Sequence, residues 1–304
     1  MGILRLGYIH MRVTDMAEAK SHYGRTLGLR PMLEEPGKIY YRGWDEWDHH
    51  SVVLEEGGVG VVKYGWKVQH EADIDEIERK TQAFGFTCER MSAGDNPEVS
   101  DGIRIFTSSE HVMEVYHSQT VVGNDMGTHN PESFPRERVG VDVPILDHSL
   151  ASMSDVATME RFFHEAFGLY TAEEIVESLD PGAHKIAVWL ANNNTAHQIA
   201  LIEGPQGKIH HFAFRLEDWA EVGRAADLFS MDEVSIDVGP TRHGITRGKT
   251  IYFFDPSGNR NEVFAGGYMF YPDRPKCQWT PEQLGKGIFY HARALNEAFT
   301  TVFT

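Results

Sequence analysis

Residues 241–262, T-R-H-G-I-T-R-G-K-T-I-Y-F-F-D-P-S-G-N-R-N-E, decide how the chain reads. His243 stands in a loop rich in Gly and Thr, and a β-branched and aromatic run, 250–254, follows it. A tight turn at Asp255-Pro256-Ser257-Gly258 returns the chain into a second apolar run, 262–264. Two such runs around Asp, Pro and Gly predict a β-hairpin. Glu262 is the odd residue, a carboxylate among apolar neighbours. Burying it unpaired is costly, so it should meet a cation, a donor or a metal. His243 and Tyr252 lie close by as proton-handling groups.

Working outward from this hairpin, the two halves of the 304-residue chain read alike. The first half opens with a strand to about Val13, then a helix capped by Thr14 or Asp15 that ends near Gly28. The second half has a strand through His148, a helix capped near Ser154 or Asp155, and then Gly168-Leu169. Each half adds a three-strand ribbon and a further strand–helix unit: 60–68 with 73–84, and 209–216 with 218–229. Each closes with a hairpin whose return strand carries a glutamate, H-V-M-E-V-Y at Glu114 and N-R-N-E-V-F at Glu262. The expected architecture is α+β, four βαβββ units in two similar domains, each domain a curved sheet around a central space. The domains should cover 1–118 and 141–304, joined by a linker at 119–140 rich in Gly, Asn, Pro and charge. A tail after Gly266 should carry one helix over about 281–299.

Inside the second sheet His148, His211 and Glu262 can meet. His148 lies seven residues before Asp155, and His211 lies seven before Asp218. That shared offset to a helix start selects His211 over His210, because adjacent strand residues point to opposite faces. His210 is expected to face outward or to support the ligands from behind. Most of the 16 histidines are ordinary core or surface groups; the equal offsets and the hairpin single out this pair. Two imidazoles and a carboxylate on one face of an octahedral ion leave three adjacent positions open, the donor set of non-haem Fe(II) oxygenases. A small-molecule substrate would also need an apolar slot. Trp189 and Ile245, with Ile288 and Phe299 over the opening, are the candidates, although each is equally explained as plain core.

The spacing His, seven residues, Ile-Tyr, two residues, Asp-Pro, one residue, Gly, three residues, Glu resembles the signature of the extradiol ring-cleaving dioxygenases at every specified position. The flanks G-P-T-R-H-G and G-K-T-I-Y-F-F-D-P-S-G-N-R-N-E-V-F resemble the catechol 2,3-dioxygenase branch of that family, and the resemblance extends over nearly the whole chain. It implies the vicinal oxygen chelate (glyoxalase-like) fold and an Fe(II) cofactor, with Mn(II) the alternative that ligand type separates poorly. It also implies catechol or a substituted catechol and dioxygen as reactants, 2-hydroxymuconic semialdehyde-type products, and a homotetramer. By the same resemblance His197, in T-A-H-Q-I-A-L, is the acid–base histidine, His243 hydrogen-bonds substrate, and Tyr252 donates to a catecholate oxygen. Family members often carry a different aromatic at the Trp189 position, which bears on the ring substituents accepted. In the first half His10 and Glu114 stand like His148 and Glu262, but Tyr64 stands where His211 would. The N-terminal domain is therefore expected to be structural.

The formal charge of −17 with no long basic run argues against nucleic acid and anionic membranes as partners. No apolar stretch approaches the ~18 residues of a membrane span. The opening residues lack a signal-peptide core, and two cysteines, Cys88 and Cys277, fit a reducing cytoplasm. His70-Glu71 and His164-Glu165 each lack the second histidine of a zinc hydrolase helix, and neither a Gly-x-Ser-x-Gly elbow nor a phosphate loop occurs. The competing readings are another enzyme of the same fold, acting on a bicyclic diol or glyoxalase-like, and a metal-free module that binds aromatics.

Overall fold

Three aspartates start three of the helices as the sequence predicts. Asp15 accepts a hydrogen bond from the Glu18 amide, Asp155 from that of Thr158, and Asp218 from those of Ala220 and Glu221. In the computed structural model, which describes residues 2–304, these helices belong to four βαβββ units. The first comprises β1 (Ile3–Val13), α1 (Met16–Lys20), β2 (Arg30–Glu35), β3 (Lys38–Arg42) and β4 (Val52–Glu56). The second comprises β5 (Gly60–Val68), α2 (Ala72–Phe84), β6 (Thr87–Met91), β7 (Gly102–Phe106) and β8 (Val112–Tyr116). β9 (Ile145–Met153), α3 (Val156–Phe162), β10 (Tyr170–Val176), β11 (Lys185–Ala191) and β12 (Ile199–Glu203) form the third. The fourth is β13 (Lys208–Arg215), α4 (Trp219–Met231), β14 (Ile236–Arg242), β15 (Gly248–Phe254) and β16 (Arg260–Gly266). Residues 119–140 carry no strand or helix and touch the first half through two isolated bridges, Val99 with Gln119 and Asp48 with Val121.

Two mixed sheets result. The first runs β2-β3-β4-β1-β5-β8-β7-β6; the second runs β14-β15-β16-β13-β9-β12-β11-β10, with β17 (Cys277–Trp279) on its edge. The central strand pairs, β1 with β5 and β9 with β13, are antiparallel, and each is flanked by parallel partners. One apolar core joins the two halves. Trp66 meets Phe163 and Phe167 edge-on, and Phe84 and Phe86 pack on Phe162. The decisive hairpin is β15–β16, and its turn is braced by the first half: Tyr23 donates to Asp255, and Asn259 donates to the Arg12 carbonyl while accepting from the Gly60 amide. Among the described residues no helix is long and apolar enough to cross a membrane.

The tail departs from expectation. In place of one helix over 281–299 there are a 3-10 turn, Pro281–Gln283, and two short helices, α5 (Leu284–Ile288) and α6 (Glu297–Thr301). Gly285 and Gly287 weaken helix propensity there. The chain also folds back so closely that a Cβ at Gly285 would stand 2.3 Å from the Arg293 carbonyl oxygen.

The repeat is also registered differently from the expected match of His10 with His148 and Tyr64 with His211. Across the second sheet His148 pairs with Ala213, and Ala213 with Glu262. Across the first, the matching line is Tyr8, Gly65 and Glu114. His10 pairs with Lys63 as Leu150 pairs with His211, and Arg104 faces Glu114 as Tyr252 faces Glu262. The counterparts of the two ligand histidines are therefore Tyr8 and Lys63, not His10 and Tyr64. Buried Glu114 is held by Lys63 at 3.1 Å, by Arg104 at 2.6 and 2.8 Å, by Asn96 at 2.9 Å and by the Tyr8 hydroxyl. Two side-chain cations stand where the other half has a metal-ligating constellation. They outweigh burial and hold the Glu114 carboxyl below its usual range.

Candidate metal centre and catalytic cavity

Strand pairing positions all three predicted ligands. His148 (β9) and Glu262 (β16) lie on either side of Ala213 on β13, and His211 is two residues back along β13, on the same face as Ala213. The small Ala213 side chain leaves the space between them open. Nε2 of His148 lies 3.1 Å from Glu262 Oε2, and Nε2 of His211 lies 3.2 Å from the same oxygen. The three donor atoms lie within 4.8 Å of one another, and all three residues are buried. Two ligands each ~2.1 Å from an ion and at right angles stand about 3 Å apart, so the separations suit adjacent positions on one cation.

The outer contacts suit a metal as well. The Nδ1–H of His148 donates to Asp147 at 2.9 Å, which turns the Nε2 lone pair inward. Thr250 donates to the other Glu262 oxygen, Oε1, at 2.5 Å. Burial pushes the Glu262 carboxyl up, but the surrounding imidazoles of His148, His211 and His243 outweigh it and hold the group well below the usual range. Burial acts against protonated His148, yet Asp147 and Glu262 raise it to about 9, whereas burial takes His211 down to about 4 despite Glu262. Protons held between these groups are what a bound divalent ion displaces. Two imidazole nitrogens and one carboxylate, each oriented from behind, fit a divalent transition metal.

A cavity opens over this triad, lined by every other residue expected from the sequence: His197, His243, Tyr252, Trp189, Ile245, Ile288 and Phe299. The His197 ring sits 4.0 Å from that of His148, centroid to centroid. Burial, then the neighbouring His148, hold it well below its ordinary value, so the ring is neutral. His243 donates through Nδ1 to the Ile288 carbonyl, leaving Nε2 to accept from the Tyr252 hydroxyl at 2.8 Å. Burial and then Glu262 push Tyr252 well above its ordinary value, so it stays a donor. Leu150, Ile175, Ile186, Ile202 and Leu284 complete an apolar wall, and none of the lining residues is Lys or Arg.

His210 does not point away from the site. A bulge between Ile209 and His211 breaks the alternation, and both rings face the cavity with their Nδ1 atoms 2.7 Å apart. Sequence reasoning also passed over Asp147, Thr250 and Arg260. Each had a positional signal: Asp147 precedes a ligand, Thr250 shares a strand face with Tyr252, and Arg260 shares one with Glu262.

The family model described as Glyoxalase/Bleomycin resistance protein/Dioxygenase superfamily matches residues 145–263, and that of the catechol 2,3-dioxygenase-like N-terminal domain matches residues 63–120. The chain belongs to the extradiol ring-cleaving dioxygenases. Within that family it is 41% identical to Metapyrocatechase from Pseudomonas sp. (strain CF600), over 100% of this chain and 99% of that protein. It is 24% identical to the Manganese-dependent 2,3-dihydroxybiphenyl 1,2-dioxygenase of Geobacillus genomosp. 3, over 95% of this chain and 94% of that one. The crystal structure of the 2,3-dioxygenase LapB from Pseudomonas sp. KL28 superposes with a TM-score of 0.88 at 38% identity, covering 92% of this chain and 98% of that one.

Proposed function

We infer that this chain cleaves catechol, and catechols with apolar ring substituents, by the extradiol route. Both atoms of dioxygen are inserted, the ring opens beside the diol, and the product is a 2-hydroxymuconic semialdehyde. The observation that carries this reading is the buried triad His148, His211 and Glu262, whose donor atoms face one point at the floor of an aromatic-sized cavity. We assign Fe(II) to it; Mn(II) is the alternative, since one relative is named as manganese-dependent. Fe(II) held there supplies Lewis acidity toward the diol and electron exchange with dioxygen.

The chain's own groups do the rest. Neutral His197 takes the proton that a catechol hydroxyl loses and returns it as the ring opens. Tyr252 turns its one proton from His243 to the catecholate oxygen, and His243, fixed by the Ile288 carbonyl, is then free to accept a hydrogen bond from the substrate. Trp189, Ile245, Ile288 and Phe299 enclose the ring and keep water out. Without a cation in the lining, and with Glu203 among it, a ring substituent bearing a carboxylate finds no counter-charge. The N-terminal half serves as scaffold, and the protein works as a homotetramer in the cytoplasm.

The test is oxygen uptake by protein loaded anaerobically with Fe(II) and given catechol, with mass analysis of the product. One dioxygen consumed per yellow product that carries both oxygen atoms supports the reading. Cleavage between the two hydroxyls refutes it, and faster turnover of 2,3-dihydroxybiphenyl than of any monocyclic catechol refutes the substrate class.

A further inference from the structure

We propose that His210 is a positioning residue that couples the C-terminal tail to the metal ligand His211, so that metal binding and tail closure reinforce one another. The proposal rests on the metal assignment above. Its ground is a chain of hydrogen bonds that admits one proton arrangement. Nε2 of His210 lies 2.7 Å from the backbone carbonyl of Phe299 in α6. A carbonyl only accepts, so this nitrogen carries the proton. No carboxylate among the described residues touches His210, and the guanidinium of Arg260 reaches its backbone carbonyl at 3.3 Å, so the buried ring is held neutral.

Neutral His210 with its proton on Nε2 must accept at Nδ1. Among the described residues the group there is Nδ1 of His211, 2.7 Å away, which must then be the donor. A neutral His211 protonated at Nδ1 has its lone pair on Nε2, the atom aimed at Glu262 and the proposed metal. The tail carbonyl therefore selects, through one intervening ring, the tautomer in which His211 can ligate. His243 repeats the device, since its Nδ1 donates to the carbonyl of Ile288, also in the tail, and its Nε2 is thereby left to accept from Tyr252. Phe299 covers His210 directly, ring centroids 4.6 Å apart and nearly perpendicular.

If the tail lifts, His210 loses the acceptor that holds its tautomer, and His211 is free to take the other. Linkage makes the effect reciprocal: metal at His211 favours the docked tail by the factor by which the docked tail favours metal. The test needs no turnover. Fe(II) affinity is measured anaerobically by competition with a coloured chelator. Hydrogen exchange of residues 297–302 is followed with and without Fe(II), in the wild type, His210→Leu and His210→Gln.

The wild type should show slower tail exchange when Fe(II) is bound. His210→Leu should bind Fe(II) about 10- to 100-fold more weakly, the usual loss when an outer partner of a ligand histidine is removed. Its tail exchange should no longer respond to Fe(II). His210→Gln offers a carbonyl to His211 and an amide N–H to Phe299, and should restore both properties. Wild-type affinity in His210→Leu, or tail exchange in the wild type that ignores Fe(II), overturns the proposal. Should His210→Leu not fold, the wild-type exchange response and the glutamine rescue decide. A wild type that binds neither Fe(II) nor Mn(II) refutes the metal assignment; one that binds Fe(II) without slowing tail exchange refutes only the coupling.

Discussion

Replacing Arg260 by methionine removes one of the side chains that tie the tail to the sheet. The guanidinium is buried, and it donates to Asp237 at 2.9 Å, to the Val302 carbonyl at 2.9 Å and to the Ala298 carbonyl at 3.0 Å. It also stands over the Phe254 and Phe299 rings at 4.9 and 5.3 Å. Two charge-assisted bonds to tail carbonyls, at ~1.5–3 kcal/mol each, give about 3–6 kcal/mol of docking energy. Losing them should raise the open fraction of the tail by about 10²- to 10⁴-fold. Phe299 is only 9% exposed, so chymotrypsin cleavage after it reports that open fraction. The substitution also strands Asp237, whose side chain is 4% exposed. Breaking a buried pair in this way costs about 3–5 kcal/mol of global stability. The double variant Asp237→Leu/Arg260→Met should therefore regain much of the lost urea resistance while its tail stays as cleavable as in the single variant. Cleavage of Arg260→Met within a few-fold of the wild-type rate refutes the reasoning, and so does a double variant that regains tail protection.

Three further outcomes follow from the geometry. His197→Ala should retain its metal, read by elemental analysis, while kcat falls about 10²- to 10⁴-fold, the range for a lost general acid–base group; an unchanged rate removes the role. Lys63→Met leaves buried Glu114 without one of its two cations and should cost about 1–3 kcal/mol in urea unfolding, with partial recovery in Lys63→Met/Glu114→Gln. Recovery that fails to appear would count against Lys63 as the charge partner. Burial takes His50 down to about 3 and His10 to about 4, with the charges of His49 and Lys63 adding to it. Both titrate near 6.5 when unfolded, so below that pH the unfolded chain binds more protons and stability falls as pH drops toward 4. The urea midpoint should thus be highest near neutrality and decline through that window, less steeply in His50→Leu; a flat profile excludes the effect.

The ligand triad was legible because two independent patterns agreed, the hairpin spacing around Glu262 and the equal offsets of His148 and His211 from helix-starting aspartates. Cap residues are local and their geometry is carried by three or four positions, so the helix starts were readable too. What escaped depended on register. Matching histidine to histidine placed His10 opposite His148, whereas backbone pairing sets Tyr8 there, the residue that stands seven before Asp15 as His148 stands seven before Asp155. Of the two readings of His210, outward or behind the ligands, the bulge before His211 decides for the second. The tail differs from one helix because Gly285 and Gly287 weaken helix propensity, and the fold-back that sets Gly285 against the Arg293 carbonyl is a tertiary contact. Arg260 went unread because its value lies in carbonyls 38 and 42 residues downstream.

The first half's ladder of Tyr8, Lys63, Arg104 and Glu114 has a consequence for supply. A positive charge carried on a side chain is delivered by the ribosome with every copy and can be neither leached nor oxidised. The half of the molecule that braces the Asp255–Asn259 turn therefore keeps its electrostatic balance in a cell starved of metal or exposed to oxidants. An apoprotein of this design waits with one side already set.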